Sequence, residues 1–228
     1  MHYVLSLSGG MDSATVLAKL LQDGHSVDCF YFAYGSKHEE FECEMASRLI
    51  GYYFMNYRVA TFSFIRLPFI KKEFRSDLLK GQGEIPEGHF EDESMKDTVV
   101  PCRNMIFLSI LAGLAESRKA EGIALGIHQG DHAIYPDCRP LFFDQMAAVI
   151  QTATDGKVGT IAPFLHTDKH GILAWGLEHK VPYHLTRTCY KDQPLSCGRC
   201  GSCVERLEAF SSMGIKDPIT YEEREDGI

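Results

Sequence analysis

The sequence contains no run of about 18 apolar residues and no basic stretch ahead of a hydrophobic core near Met1, which argues against a membrane span or a secretory leader. A cytoplasmic protein is expected. Positive charge is scarce: 23 Lys and Arg stand against 31 Asp and Glu, a formal net charge of -8, so neither general nucleic-acid binding nor an anionic-membrane surface is expected. The glycine pair Gly9 and Gly10 is not followed by Lys and Ser or Thr, which excludes a Walker A loop. His128 and His132, like His166 and His170, stand four apart, but neither pair falls on one face of an expected helix, and none is assigned to a metal. Internal repeats and low-complexity tracts are absent from the sequence as well.

What is present is an apolar fraction of 45% over 228 residues, enough to bury one large α/β domain or a domain with a small appendage. Tyr3 to Leu7 and Val27 to Phe32 read as buried strands. Between them, Ala14, Leu17, Ala18, Leu20 and Leu21 form a helical stripe that Gly24 ends. Helical periodicity returns over His38 to Ile50, Asn104 to Lys119, Leu141 to Ala153 and Asp168 to Glu178, and strand-like runs over Met55 to Ala60, Ile123 to Ile127 and Val181 to Leu185. The alternation predicts an α/β fold with a mostly parallel, doubly wound sheet. From residue 70 to 99 the pattern fails among glycines and charges, and a segment that long reads as a lid or a mobile loop.

Four of the eight cysteines are scattered, at Cys29, Cys43, Cys102 and Cys138. The others lie in "TCYKDQPLSCGRCGSC" as Cys189, Cys197, Cys200 and Cys203. Two nested C-x-x-C steps with a fourth cysteine eight positions upstream suit tetrahedral thiolate coordination, and in a cytoplasmic chain such spacing favours a metal over disulfides. A closed four-thiolate site leaves no position for substrate, so its role is structural; an iron–sulfur cluster is the other reading of the same spacing.

The segment "SLSGGMDS" joins the first strand to the first helix. Glycines there let backbone amides turn inward, and Ser8, Ser13 and the free N–H groups of the first helical turn add donors, so the segment reads as an anion cradle. A capped strand-to-helix turn is the plain alternative. Arg103 and Asn104 follow Pro101 at a helix start, where dipole, guanidinium and amide can converge on an anion. Asp137 sits in a Pro-bounded turn, where a carboxylate suits the paired N–H donors of a guanine; the same residues also read as an Asx turn.

The S-G-G-M-D-S segment resembles the pyrophosphate loop of the N-type ATP pyrophosphatases (PP-loop enzymes). "VVPCRNMIFLS", "YPDCR", "TCY" and "CGRCGSC" are similar, in order and spacing, to the 7-cyano-7-deazaguanine synthase (QueC) family, and the resemblance spans nearly the whole chain. It implies an adenine nucleotide alpha hydrolase-like α/β domain over residues 1–186 and a small zinc knuckle over residues 187–228. It also implies that ATP adenylates a 7-deazaguanine carboxylate, that ammonia or another amine attacks, and that a second ATP drives dehydration to the nitrile, each ATP leaving AMP and pyrophosphate.

On this resemblance Ser8, Gly9, Gly10, Met11, Asp12, Ser13, Arg103 and Asn104 are the ATP-binding residues, with Mg²⁺ bridging phosphate oxygens. Lys169, Arg103 and Asp12 are the catalytic candidates. His38, Asp131, Tyr135, Asp137 and Arg139 hold the deazapurine. One structural Zn²⁺ is expected on Cys189, Cys197, Cys200 and Cys203, and a homodimer is left open. The chain departs from the family pattern at Ser36 (usually Gln), in "HQGDHAI" (usually a T-D-x-S-G run), at Gly171 (commonly Glu) and at Arg187 (expected Trp). These changes surround the carboxylate and its acceptor, and imply either a divergent synthase or a relative that stops at the amide or serves another amine. A non-catalytic nucleotide- and zinc-binding module is the reading from a different class.

Overall fold

The structure, a computed structural model, describes residues 1–54 and 59–223. Five strands form one parallel sheet in the order β3-β2-β1-β4-β5. They are β1 (His2–Ser6), β2 (Ser26–Ala33), β3 (Val59–Arg66), β4 (Gly122–Ala124) and β5 (Gly159–Ile161). The helices are α1 (Met11–Gln22), α2 (Glu39–Phe54), α3 (Pro68–Glu73), α4 (Arg103–Arg118), α5 (Pro140–Ala153), α6 (Lys169–Glu178) and α7 (Gly201–Ser212).

Side-chain alternation on the strands builds two cores. Val4, Phe30 and Phe32 point to the face covered by Leu108, Leu111 and Ala115 of α4 and Ile150 of α5. Tyr3, Leu5, Cys29 and Tyr31 point to the other, against Leu17 of α1, Leu49 of α2, Leu173 of α6 and Phe210 of α7. A sheet buried on both faces explains why β1 and β2 read as continuous apolar runs. The stretch Glu93–Arg118 is long and apolar enough to cross a membrane by composition alone, but its helical core, α4, is a sheet-covering helix with Leu108, Leu111 and Ala115 fully buried.

Strand order reverses between β1 and β4, the place where ligands bind in open α/β sheets, beyond the carboxyl ends of the strands. Two strand expectations are corrected. Val181 to Leu185 is not a strand: Pro182 lacks an amide hydrogen, and Tyr183–Leu185 close a short 3-10 turn. The fifth strand is instead Gly159–Ile161, three residues too short to show a period. The third strand lies later than Met55 to Ala60, running from Val59 to Arg66; residues 55–58 of that reading lie outside the described residues.

The segment from 70 to 99, read from sequence as a lid or mobile loop, is tied down. Leu78 and Leu79 are fully buried, the Lys37 N–H donates to the Leu78 carbonyl at 2.9 Å, and the Gly88 N–H donates to the Arg199 carbonyl at 3.0 Å. The C-terminal segment is likewise joined to the body. Arg206, wholly buried, forks onto Asp217 at 2.7 and 2.9 Å and donates to Thr186 at 2.7 Å and the Tyr183 carbonyl at 3.1 Å. A bidentate pair with its remaining donors satisfied is the form in which a buried guanidinium is tolerated.

Candidate active site

A cavity of about 170 Å³ opens at the strand-order reversal, beyond the ends of β1 and β4. Its floor is the loop after β1. Gly9 has φ +84°, and a Cβ there would overlap the Glu42 carbonyl oxygen and lie 2.8 Å from the Ala46 amide nitrogen. Gly9 is therefore required by the packing of α2 and does not line the cavity. Gly10 does: it precedes α1 in extended conformation without a side-chain cap, and a Cβ there would come no closer than 3.2 Å, to Ser8 Oγ. The Ser8 and Ser13 hydroxyls lie 3.1 Å apart, and Ser13 Oγ accepts from the Ser8 N–H at 3.2 Å. The start of α1 thus presents amides, two hydroxyls and the positive end of a helix dipole to one space. Gly9→Ala is expected to lower stability by roughly 2–4 kcal/mol, and Gly10→Ala by less than about 1 kcal/mol; urea unfolding of both variants checks this.

Asp12, in the first turn of α1, meets Lys169, the first residue of α6. Both carboxylate oxygens lie 2.8 Å from Lys169 Nζ, and Glu205 Oε2 is 3.3 Å from the same nitrogen. Burial works to lower the Lys169 pKa, but Asp12 and Glu205 outweigh it and hold it above the ordinary lysine value. Burial likewise works to raise Asp12, and Lys169 overrides it, so that its pKa is lowered. For Glu205 burial prevails over Lys169, and its pKa is raised.

Arg103 and Asn104 open α4 on the opposite wall. Arg103 is 3.5 Å from the Tyr34 hydroxyl. His38, 2% exposed, is fixed between Glu42, 3.3 Å from Nε2, and the Tyr190 carbonyl, 3.2 Å from Nδ1. Ser8, Met11, Ser13, His38, Asp131 and Lys169 all reach this cavity. Three residues expected around the deazapurine do not line it. The Asp137 carboxylate instead accepts from the Asn104 N–H at 2.8 Å, capping α4, and Arg139 Nε donates to the His132 carbonyl at 2.9 Å. Tyr135 sits behind the wall, its hydroxyl 3.2 Å from that of Tyr190 and 3.0 Å from that of Thr98.

The sequence reading missed Glu205, Tyr190, Glu42 and Ser202, all of which line the cavity. Tyr190 stands in the quoted "TCY", which was a signal left unused; Glu205 had none, since it reaches the site only because α7 folds back on α6. Arg187, where the family pattern places Trp, lines the cavity too. Its guanidinium donates to the carbonyls of Pro194, Lys191 and Gln193 at 3.0, 3.0 and 2.6 Å and stacks over Phe41 at 4.5 Å. That departure serves the loop leading into the cysteine cluster.

Cys189, Cys197, Cys200 and Cys203 are buried, and their sulfurs lie within 4.8 Å of one another. Cys197 Sγ and Cys203 Sγ are 3.9 Å apart, close to the edge of a tetrahedron with metal–sulfur bonds of about 2.3 Å. Amide hydrogens of Arg199 and Cys200 point at the Cys197 sulfur, at 3.4 and 3.3 Å, and that of Cys197 at the Cys189 sulfur, at 3.3 Å. Such donors favour thiolates. Four sulfurs this close could together hold a metal ion.

A family model described as "Queuosine biosynthesis protein QueC" matches residues 2–214. A "7-cyano-7-deazaguanine synthase" of Marinomonas sp. (strain MWYL1) is 44% identical over 219 residues, covering 96% of this chain and 97% of that protein. "7-cyano-7-deazaguanine synthase 1" of Colwellia psychrerythraea (strain 34H / ATCC BAA-681) is 45% identical over 219 residues, covering 96% and 98%. Among solved structures, NMN synthetase from Francisella tularensis aligns over 94% of this chain and 77% of its own, with a TM-score of 0.48 and 13% identity.

Proposed function

The chain belongs to the QueC family of queuosine biosynthesis proteins, and from that premise we propose that it is an ATP-dependent carbon–nitrogen ligase making 7-cyano-7-deazaguanine. It adenylates the carboxylate of 7-carboxy-7-deazaguanine, passes through the amide with ammonia, and spends a second ATP on dehydration. The observation that carries the reading is the uncapped start of α1 facing the same cavity as the Asp12–Lys169–Glu205 cluster. A helix N-terminus with open amides binds phosphate oxygens without a lysine finger.

Ser8, Gly10 and Ser13 bind the phosphates through hydroxyl and amide donors, and Arg103 on the facing wall adds a charge that follows the leaving pyrophosphate. Asp12 is held in place by Lys169, which bonds both of its carboxylate oxygens. Mg²⁺ bound with ATP would neutralise phosphate charge. His38 and Asp131, both lining the cavity, would contact the edge of the planar heterocycle. No covalent nucleophile is needed, because setting the carboxylate in line with the α-phosphorus is the main task; burial keeps Cys138 protonated and inert, its pKa raised. Zinc is the metal that the four thiolates fit, with a structural role.

The test is stoichiometric. Purified protein given ATP, Mg²⁺, 7-carboxy-7-deazaguanine and ammonium is expected to yield the nitrile with two AMP per product, read by mass spectrometry and nucleotide chromatography. One AMP per product, with amide accumulating, would show that the altered pocket stops the reaction halfway. No substrate-dependent AMP at all would sink the reading. Gly10→Val is expected to abolish AMP formation in a folded protein, since its side chain would fill the approach to the amides.

A further inference from the structure

A connected row of hydrogen-bonded oxygens runs up to one wall of the main cavity from behind. The Met95 carbonyl and the Thr98 hydroxyl are 2.7 Å apart, the Thr98 and Tyr135 hydroxyls 3.0 Å, and the Tyr135 and Tyr190 hydroxyls 3.2 Å. The carbonyl sets the order of the protons along the whole row. It has none to give, so Thr98 must donate to it. Each hydroxyl carries a single proton, and with its own committed to Met95, Thr98 can only accept from Tyr135; Tyr135 can then only accept from Tyr190. Burial makes this order hold. Thr98 is fully buried, and turning its proton the other way would set two lone pairs against each other at 2.7 Å, leaving a buried carbonyl unsatisfied.

Of these residues only Tyr190 lines the main cavity. It is held from a second side by His38, whose Nδ1 donates to the Tyr190 carbonyl at 3.2 Å and whose ring lies 5.3 Å from the phenol ring. Ser202 stands beside it on the wall and can only donate to it, since Tyr190 has no proton left to give. The Tyr190 hydroxyl therefore offers lone pairs and no proton. A phosphate, carboxylate or carbonyl oxygen of a ligand gains nothing there, whereas an N–H donor is matched. The start of α1 and Arg103 present donors to the same cavity, so the site sorts the donors of a ligand from its acceptors. An exocyclic amino group is the donor that projects beyond the edge of a guanine-type ring, and a hypoxanthine-type ring lacks it.

We propose that Tyr190 is a specificity-determining residue whose hydroxyl oxygen accepts from the exocyclic amino group of the heterocycle, and that Thr98 and Tyr135 are positioning residues that fix it as an acceptor. This role rests on the ligase reading above and deepens it, by naming the group through which one planar acid is chosen over another. The test compares two acids on each protein, 7-carboxy-7-deazaguanine and the same acid without its exocyclic amino group, with ATP, Mg²⁺ and ammonium present and pyrophosphate release as the readout. The unaltered chain is expected to favour the first acid by at least about a hundredfold in kcat/KM. Thr98→Val and Tyr135→Phe, neither of which lines the main cavity, are each expected to shrink that preference about tenfold, because a hydroxyl proton then loses its acceptor whenever Tyr190 accepts from the ligand. Thr98→Ser keeps the hydroxyl and is expected to keep the preference, and KM for ATP should be the same in Thr98→Val as in the unaltered chain. A partly unfolded variant loses activity toward both acids alike, so the ratio reports hydrogen-bond polarity apart from folding. An unaltered chain that uses the two acids equally, or a preference that survives undiminished in both Thr98→Val and Tyr135→Phe, would overturn the proposal. Failure of the unaltered chain to release pyrophosphate with either acid would remove the ligase reading itself, and this role with it.

Discussion

Lys169→Gln is expected to yield a folded protein whose adenylation step is slower by about 10²- to 10³-fold, the usual effect of removing one preorganised charge from a site where charge develops. The geometry says how the loss arises. Lys169 Nζ is shared by both oxygens of Asp12 and by Glu205, so its direct duty is to hold two carboxylates that would otherwise repel each other and the triphosphate. Glutamine keeps a donor at the site and removes the charge. Asp12 is then no longer pinned, and the start of α1 faces a more negative cavity. Stability should fall too, by about 1–3 kcal/mol, because hydrogen bonds to a charged group are lost from a buried cluster. Pre-steady-state AMP release against urea unfolding separates the two effects. An adenylation rate within about threefold of the unaltered chain's would show that the cluster is architectural.

The contrast between Asp12 and Glu205 shows what the sequence could disclose. Asp12 lies inside a contiguous signature, strand, glycines and helix within a dozen residues, and local chemistry suffices to place it at a phosphate. Lys169 was found only through the family resemblance. Glu205 came from neither: it lies 193 positions from Asp12 in number and meets it because α7 packs on α6. The sheet was legible where strands are long and buried, as in β1 and β2, and illegible where it depends on pairing. β5 has three residues, and its register with β4 supplies the backbone partners that its own sequence does not announce. Val181 to Leu185 failed for the opposite reason, since an apolar run beside Pro182 was read as a strand when Tyr183 is needed inside, its hydroxyl 2.9 Å from that of Thr15. Asp137 shows the limit of reading chemistry from a turn. A carboxylate in a Pro-bounded turn suits a guanine, but it suits the open amide of Asn104 equally well, and only the fold decides.

Cys200→Ser should cause the largest loss of stability of any single change predicted for this chain. The four sulfurs sit within 4.8 Å of one another, and as thiolates without an ion between them they would repel strongly in a buried space. Binding one metal ion converts that repulsion into folding free energy, on the order of 10 kcal/mol for a structural zinc site at neutral pH. Serine supplies a weaker ligand at one corner and forfeits a large part of it. The damage should travel, because Cys200 immediately precedes α7, the helix that carries Glu205 to Lys169 and Arg206 to Asp217. A loss of about 5 kcal/mol corresponds to a fall in Tm of roughly 10–20 °C for a domain of this size. Elemental analysis should find about one zinc in the unaltered chain and well under half of one in the variant, and adenylation should decline together with metal content. An unaltered chain that carries no metal after purification in its presence, or a metal-free Cys200→Ser protein that melts at the same temperature, would show that the four thiols are simply buried side chains.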